Sequence, residues 1–217
     1  MFFNDLPFLT LISLGDLDEK QYKSDSIENN ELAQLSWSMH DKGDHILYNG
    51  NILECTRAIE GEDNHSMVFT NQPIPKNVEF FYFEITVEDE GENGLIGIGL
   101  VKTSAKYQNG QMPGWDKGTI GYHGDDGGIF HNSYDLEPEF VRETYGKGDT
   151  VGCMMKKLMI DNHQYIFVNF FKNGKNLMVN RYFEDGEYYA TVGMGSVGAK
   201  VTSNLGETDF TYKIEGT

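Results

Sequence analysis

Residues 79–88 read Glu-Phe-Phe-Tyr-Phe-Glu-Ile-Thr-Val-Glu, with a period of two running through them. Phe81, Phe83, Ile85 and Val87 fall on one face; Phe80, Tyr82, Glu84 and Thr86 fall on the other. A helix would scatter those apolar side chains around its circumference, so the run predicts a strand with one strongly apolar side. After the turn-forming stretch Gly91 to Gly94, a second run carries Ile96, Ile98 and Leu100 on one face. Its other face holds Gly97 and Gly99, where a neighbouring layer or bulky side chain must approach closely. The two runs together predict an antiparallel hairpin. Residues 149–155, 164–171, 188–194 and 200–205 are strand-like as well. Asp161-Asn162-His163 predicts a turn, and Asn173-Gly174 predicts a tight primed hairpin turn. Short strands, turn signals between them and no helix-length periodic run predict an all-β, two-layer antiparallel sandwich. Phe81, Phe83, Ile85, Ile98 and Phe167 are its expected core.

A length of 217 residues suits one domain with an extension. Lys and Arg number 17 against 34 Asp and Glu, a net charge of −17. That balance argues against binding a nucleic-acid backbone or an anionic membrane, and for neutral or basic partners whose encounter slows as salt rises. No apolar run approaches the ~20 residues needed to cross a bilayer. The short apolar patch Phe8 to Ile12 follows Asp5 and Pro7, and the first basic residue is Lys20, unlike a secretory leader. A cytoplasmic or nuclear monomer is expected. A bridge between Cys55 and Cys153 is neither demanded nor forbidden; two buried thiols acting as small hydrophobes are the expectation. Residues 1–35 differ from the rest: Leu6, Leu9, Ile12 and Leu14 sit at roughly helical spacing before an acidic, Asn-rich stretch. They predict a short helical or irregular arm, with Leu9 and Ile12 docking on the main domain of residues 36–210. Residues 211–217 form a tail.

The least ordinary stretch runs Met112-Pro113-Gly114-Trp115-Asp116-Lys117, then Gly121-Tyr122-His123-Gly124-Asp125-Asp126-Gly127. Here the sequence resembles a SPRY domain, of the type found in Ran-binding protein M and its relatives. Other matching pieces keep the family order: Pro73-Ile74-Pro75, Phe81-Tyr82-Phe83-Glu84-Ile85, Gly97-Ile98-Gly99-Leu100, Gly148 to Cys153, Phe171 to Gly174, and Thr191-Val192-Gly193. The resemblance implies a bent, concanavalin-like sandwich whose edge loops form a shallow recognition surface for peptide segments or folded partners. It implies no catalysis and no cofactor. Relatives of this type also carry helical LisH and CTLH segments used in ubiquitin-ligase assembly; here the chain stops at Thr217. A substrate-recruiting adaptor or ligase-complex subunit is therefore a role implied by resemblance alone.

The residues themselves offer little chemistry. The six histidines lack zinc-type spacing, and neither a Walker-type loop nor a Gly-x-Ser-x-Gly elbow occurs. His123 beside Asp125 and Asp126 reads as a turn whose carboxylates accept local amides. The recognition surface is expected from three loops that interrupt the period-two pattern: Tyr107, Asn109 and Met112; Ser196 and Val197; and Glu62, Asp63, Asn64 and His65. Tyr107 would offer an aromatic face, Met112 an adaptable apolar one and Asn109 a paired donor and acceptor. Resemblance makes Trp115 a framework residue buried under the sheet. A lectin-like module for carbohydrate or another small ligand is the alternative, resting on architecture alone; Asp125, Asp126 and Asn132 only poorly approximate a calcium site.

Overall fold

In the computed structural model, which describes residues 35–56, 65–103, 109–132 and 138–212, the period-two runs become strands. In chain order they are β1 (Trp37–Lys42), β2 (Ile46–Asn49), β3 (Ile52–Cys55), β4 (Ser66–Thr70), β5 (Phe80–Asp89), β6 (Ile96–Lys102), β7 (Thr119–His123) and β8 (Gly128–His131). There follow β9 (Phe140–Val141), β10 (Thr150–Ile160), β11 (His163–Lys172), β12 (Lys175–Asn176), β13 (Arg181–Glu184), β14 (Tyr188–Met194) and β15 (Lys200–Asn204). Sheet A has the order β1-β4-β14-β6-β7-β8-β9. Sheet B runs β12-β11-β10-β5-β15-β3-β2, with β13 also on β11. Among the described residues there is no α-helix, and none long and apolar enough to cross a membrane. The arm carrying Leu6, Leu9, Ile12 and Leu14 lies outside the described residues.

The core forms where the two sheets face each other. Phe81, Phe83, Ile85 and Val87 of β5 meet Ile96, Ile98 and Leu100 of β6. Trp37 closes one end of this layer: its ring lies edge-on to Phe83 at 6.2 Å, and its indole N–H donates to Ser203 Oγ at 2.6 Å. Cys55 and Cys153 are free and buried, and desolvation pushes the Cys55 thiol up to about 11. Both predicted turns take left-handed backbone at their centres. Asp161 and Asn162 have φ of 50° and 62° between β10 and β11, and Asn173 and Gly174 have 50° and 77° between β11 and β12. Asn tolerates that region and Gly enters it freely.

Two expectations are corrected. β5 and β6 do not pair as a hairpin: β5 lies between β10 and β15 in sheet B, and β6 between β14 and β7 in sheet A. Their apolar faces oppose each other across the core, so the turn at residues 90–95 passes from one sheet to the other. Phe167 is not in the central core. It packs with Phe80, Tyr82, Met154 and Phe171 on the outward face of sheet B. β11 is apolar on both faces, so alternation alone could not assign its sides.

Candidate functional site

Glycines on the outward face of sheet A determine where the least ordinary segment lies. A Cβ added to Gly97 would meet Met112 Cε at 3.3 Å, and one on Gly193 would collide with Pro113 Cδ and Met112 Sδ. Gly121 leaves similar room for the Pro113 carbonyl. The chain from Met112 to Trp115 therefore lies flat across a glycine platform, as the paired glycines of β6 predicted. Thr119 Oγ1 accepts the Gly114 amide at 2.9 Å, and His123 Nε2 donates to the Pro113 carbonyl at 2.8 Å. Gly193→Ala is expected to overpack the platform and cost about 1–3 kcal/mol. Chemical denaturation checks this.

The buried His123 ring lies 4.4 Å from the Phe130 ring centroid and 5.9 Å from that of Trp115. Burial lowers its pKa to about 4, partly offset by the Pro113 carbonyl and the Asp126 charge, so the ring is neutral at physiological pH. Asp126 Oδ1 accepts the Gly128 amide at 2.6 Å, the local turn bond expected of it.

A second group of loops is fastened by one hydroxyl. Ser196 Oγ accepts the Asn93 and Gly94 amides at 3.0 and 3.1 Å and donates to the Glu90 carbonyl at 2.7 Å. Backbone bonds from Glu92 to Val197 and from Gly195 to Leu95 join the same loops. His65 enters this group because Gly195, without a side chain, lets the imidazole lie against its backbone. The Gly110 amide donates to the His65 carbonyl at 2.8 Å. Asn109 bridges to Ser66 Oγ at 3.1 Å and to Asp44, accepting its amide and donating to its carboxylate, both at 3.0 Å. The described residues of the three expected loops thus meet around His65.

Individual assignments change. Met112 is 0 % exposed, held against the glycine platform, and cannot supply an accessible apolar surface. Ser196 is also 0 % exposed, with its hydroxyl engaged by three backbone groups. Asn109 is exposed, but its amide holds the loop to Asp44 and Ser66. Val197 and His65 are half-buried at the rim. Tyr107, Glu62, Asp63 and Asn64 lie outside the described residues.

Trp115 is the residue that sequence reasoning misplaced. It is half-buried on the outside of sheet A, edge-on to His65 with ring centroids 4.8 Å apart and planes at 84°. Its Nε1 is buried without a hydrogen-bond partner among the described residues. The available signal was its setting between Gly114 and Asp116-Lys117-Gly118, too polar and too glycine-rich to cover an indole fully. Acidic groups flank the pair: Asp44 holds Asn109, Asp116 follows Trp115, and the Asp125 backbone lies 3.9 Å from a Cβ placed on Gly94.

The family model for the SPRY domain matches residues 80–208. Ran-binding protein 9 of Xenopus tropicalis is 33% identical over 182 residues, covering 83% of this chain and 31% of that protein. The Ran-binding proteins 9/10 homolog of Drosophila melanogaster is 33% identical over 81% of this chain and 18% of its own length. The Ran-binding protein M homolog of Arabidopsis thaliana is 33% identical over 69% of this chain and 30% of its own length. The chain thus matches less than a third of the length of these relatives. A crystal structure of a human SPRY domain superposes with a TM-score of 0.64 at 27% identity, covering 80% of this chain and 99% of that one. Two stacked antiparallel sheets and the family match over residues 80–208 agree: the chain belongs to the SPRY domain family.

Proposed function

We propose that this chain is a non-enzymatic protein-interaction module that captures a peptide segment or partner protein at the loop edge around Trp115 and His65. The observation that carries this reading is the half-buried indole. It stands edge-on to His65 in a frame held by Ser196, Asn109 and backbone bonds. Trp is enriched among residues that dominate binding energy, and a rigid frame reduces the ordering penalty on association. Asp44, Asp116 and Asp125, on a chain of net charge −17, favour a neutral or basic partner. Two unpaired buried thiols suit a reducing compartment, cytosolic or nuclear. A recruiting role in an adaptor or a ligase assembly is one use of such a surface.

The carbohydrate alternative finds less support. Asp126 serves the Gly128 amide and Asn132 the Gly118 amide at 2.5 Å, two separate turns. No group of three or more His, Cys, Asp or Glu suited to a metal occurs among the described residues.

Selection from a random peptide library on the wild-type chain, followed by calorimetry, tests the proposal. Trp115→Ala should weaken the selected peptides tenfold or more, about 1.4 kcal/mol, and Tyr107→Ala should weaken them as well. A folded Trp115→Ala protein that binds them as tightly as wild type would move the site away from this edge.

A further inference from the structure

The outward face of sheet B carries a second apolar surface, away from the edge loops. Phe80 and Tyr82 of β5, Met154 of β10, and Phe167 and Phe171 of β11 form one cluster there, each buried although it points away from the sandwich. Part of their cover is the chain after β15. Asn204 accepts the amides of Gly206 and Thr208 and donates to the Thr208 carbonyl, turning the chain back across the sheet. Phe210 and Tyr212 then descend onto Tyr82, with ring centroids 4.8 and 5.7 Å away, and Tyr212 lies 4.2 Å from Phe171.

Between these rings the Thr211 amide donates to both carboxylate oxygens of Glu84, at 2.9 and 3.2 Å. Glu84 is 4 % exposed, and the Tyr82 hydroxyl donates to the same carboxylate at 3.1 Å. An acidic side chain facing out of a sheet, desolvated and aimed at one backbone amide, is a directional receptor for an extended segment. Gly174 completes the seat: a Cβ there would stand 3.1 Å from the Thr211 carbonyl. No backbone–backbone ladder joins residues 206–212 to the sheet among the described residues. Phe210 and Tyr212 are half-buried, and residues 206–209 and Thr211 are exposed. Against the described residues of sheet B the segment is held as a bound peptide is held, by two aromatic anchors and one central amide.

We propose that this face is a second peptide-binding groove, specific for an aromatic–x–aromatic segment, which Phe210-Thr211-Tyr212 occupies in cis and a partner segment of the same pattern can enter by displacing it. Recognition requires two aromatic side chains separated by one residue whose backbone N–H meets Glu84; a proline at the centre is excluded because it lacks that donor. The groove is independent of the Trp115 edge, so one chain can hold two partners.

The test uses a fluorescein-labelled peptide of sequence Glu-Thr-Asp-Phe-Thr-Tyr-Lys and the full chain. Phe210→Ala with Tyr212→Ala vacates the groove, and this variant should bind the peptide at least tenfold more tightly than wild type, measured by anisotropy. Adding Glu84→Gln should weaken binding several-fold, and a peptide with Pro in place of the central Thr should not bind. A folded variant that ignores the peptide overturns the proposal, as does equal binding to variant and wild type. Should the double variant fail to fold, hydrogen exchange on the wild type decides. The Thr211 amide should exchange at least a hundredfold faster than the Phe83 amide, because displacement requires local opening. Equal protection of the two amides overturns the proposal.

Discussion

Phe83→Ala is expected to lower the free energy of unfolding by about 3–5 kcal/mol, against a total for a natural domain of about 5–15 kcal/mol. Phe83 is 0 % exposed, stacked on Phe81 at 5.8 Å, edge-on to Trp37 at 6.2 Å, and opposite Cys153 in the β5–β10 register. These neighbours sit on backbone paired on both sides, since β5 has β10 on one flank and β15 on the other. The cavity left by the missing ring can therefore collapse only in part, and the contacts it leaves unfilled are lost. For a domain of this size the melting temperature should fall by roughly 6–20 °C. Phe83→Leu, which fills most of the space, should recover more than half of the loss. A change below about 1 kcal/mol in urea unfolding would show that the ring does not hold the two sheets together.

Acidification should destabilise the domain through His123 before it affects most carboxylates. Burial holds its folded pKa at about 4, against an ordinary 6.5. Below pH 6.5 the unfolded chain takes up a proton that the folded chain refuses. This contribution is thus complete above pH 6.5, declines as pH falls, and is fully lost below pH 4. A difference of about 2.5 units corresponds to roughly 3 kcal/mol across that window. Glu139 acts at lower pH: His131, 3.7 Å away, and Arg181, 2.6 Å away, hold its carboxyl below the ordinary value despite partial burial. Its contribution is full above the ordinary carboxylate pKa and disappears as pH falls through the depressed one. His123→Gln should flatten the stability curve between pH 6.5 and 4 while leaving the Glu139 region unchanged. An identical slope in the variant and wild type would assign the acid sensitivity to other groups.

The strands were legible because each carries its burial pattern in its own residues. The runs read at 79–88, 95–101 and 188–194 correspond to β5 at Phe80–Asp89, β6 at Ile96–Lys102 and β14 at Tyr188–Met194. Asn173-Gly174 marked its turn for the same local reason, the left-handed backbone it adopts. Partnership was not legible. Residues 90–95 are long enough to close a hairpin or to cross between sheets, and it is Ser196 and its neighbours, a hundred residues away, that fasten them in the crossing form. The site followed the same division. The meeting of three loops was expected, but whether a loop side chain faces a partner or the scaffold depends on what lies beneath it. Met112 turned inward because Gly97 and Gly193 left space, and that space is a property of two other strands.

The position of β15 also governs how the molecule is made. β15 lies between β5 and β3, with Ser203 opposite Ile85 and Val201 opposite Leu53. Sheet B is therefore severed until residue 204 has left the ribosome, because β3 and β2 have no other route to β5. Such distant pairings make a slow-folding topology. During elongation the nascent chain displays Phe81, Phe83 and Ile85 with one flank of β5 unpaired, the condition in which strands capture the wrong neighbour. Residues through 204 must emerge before this domain closes, so its yield in the cell depends on protection of a still open sandwich.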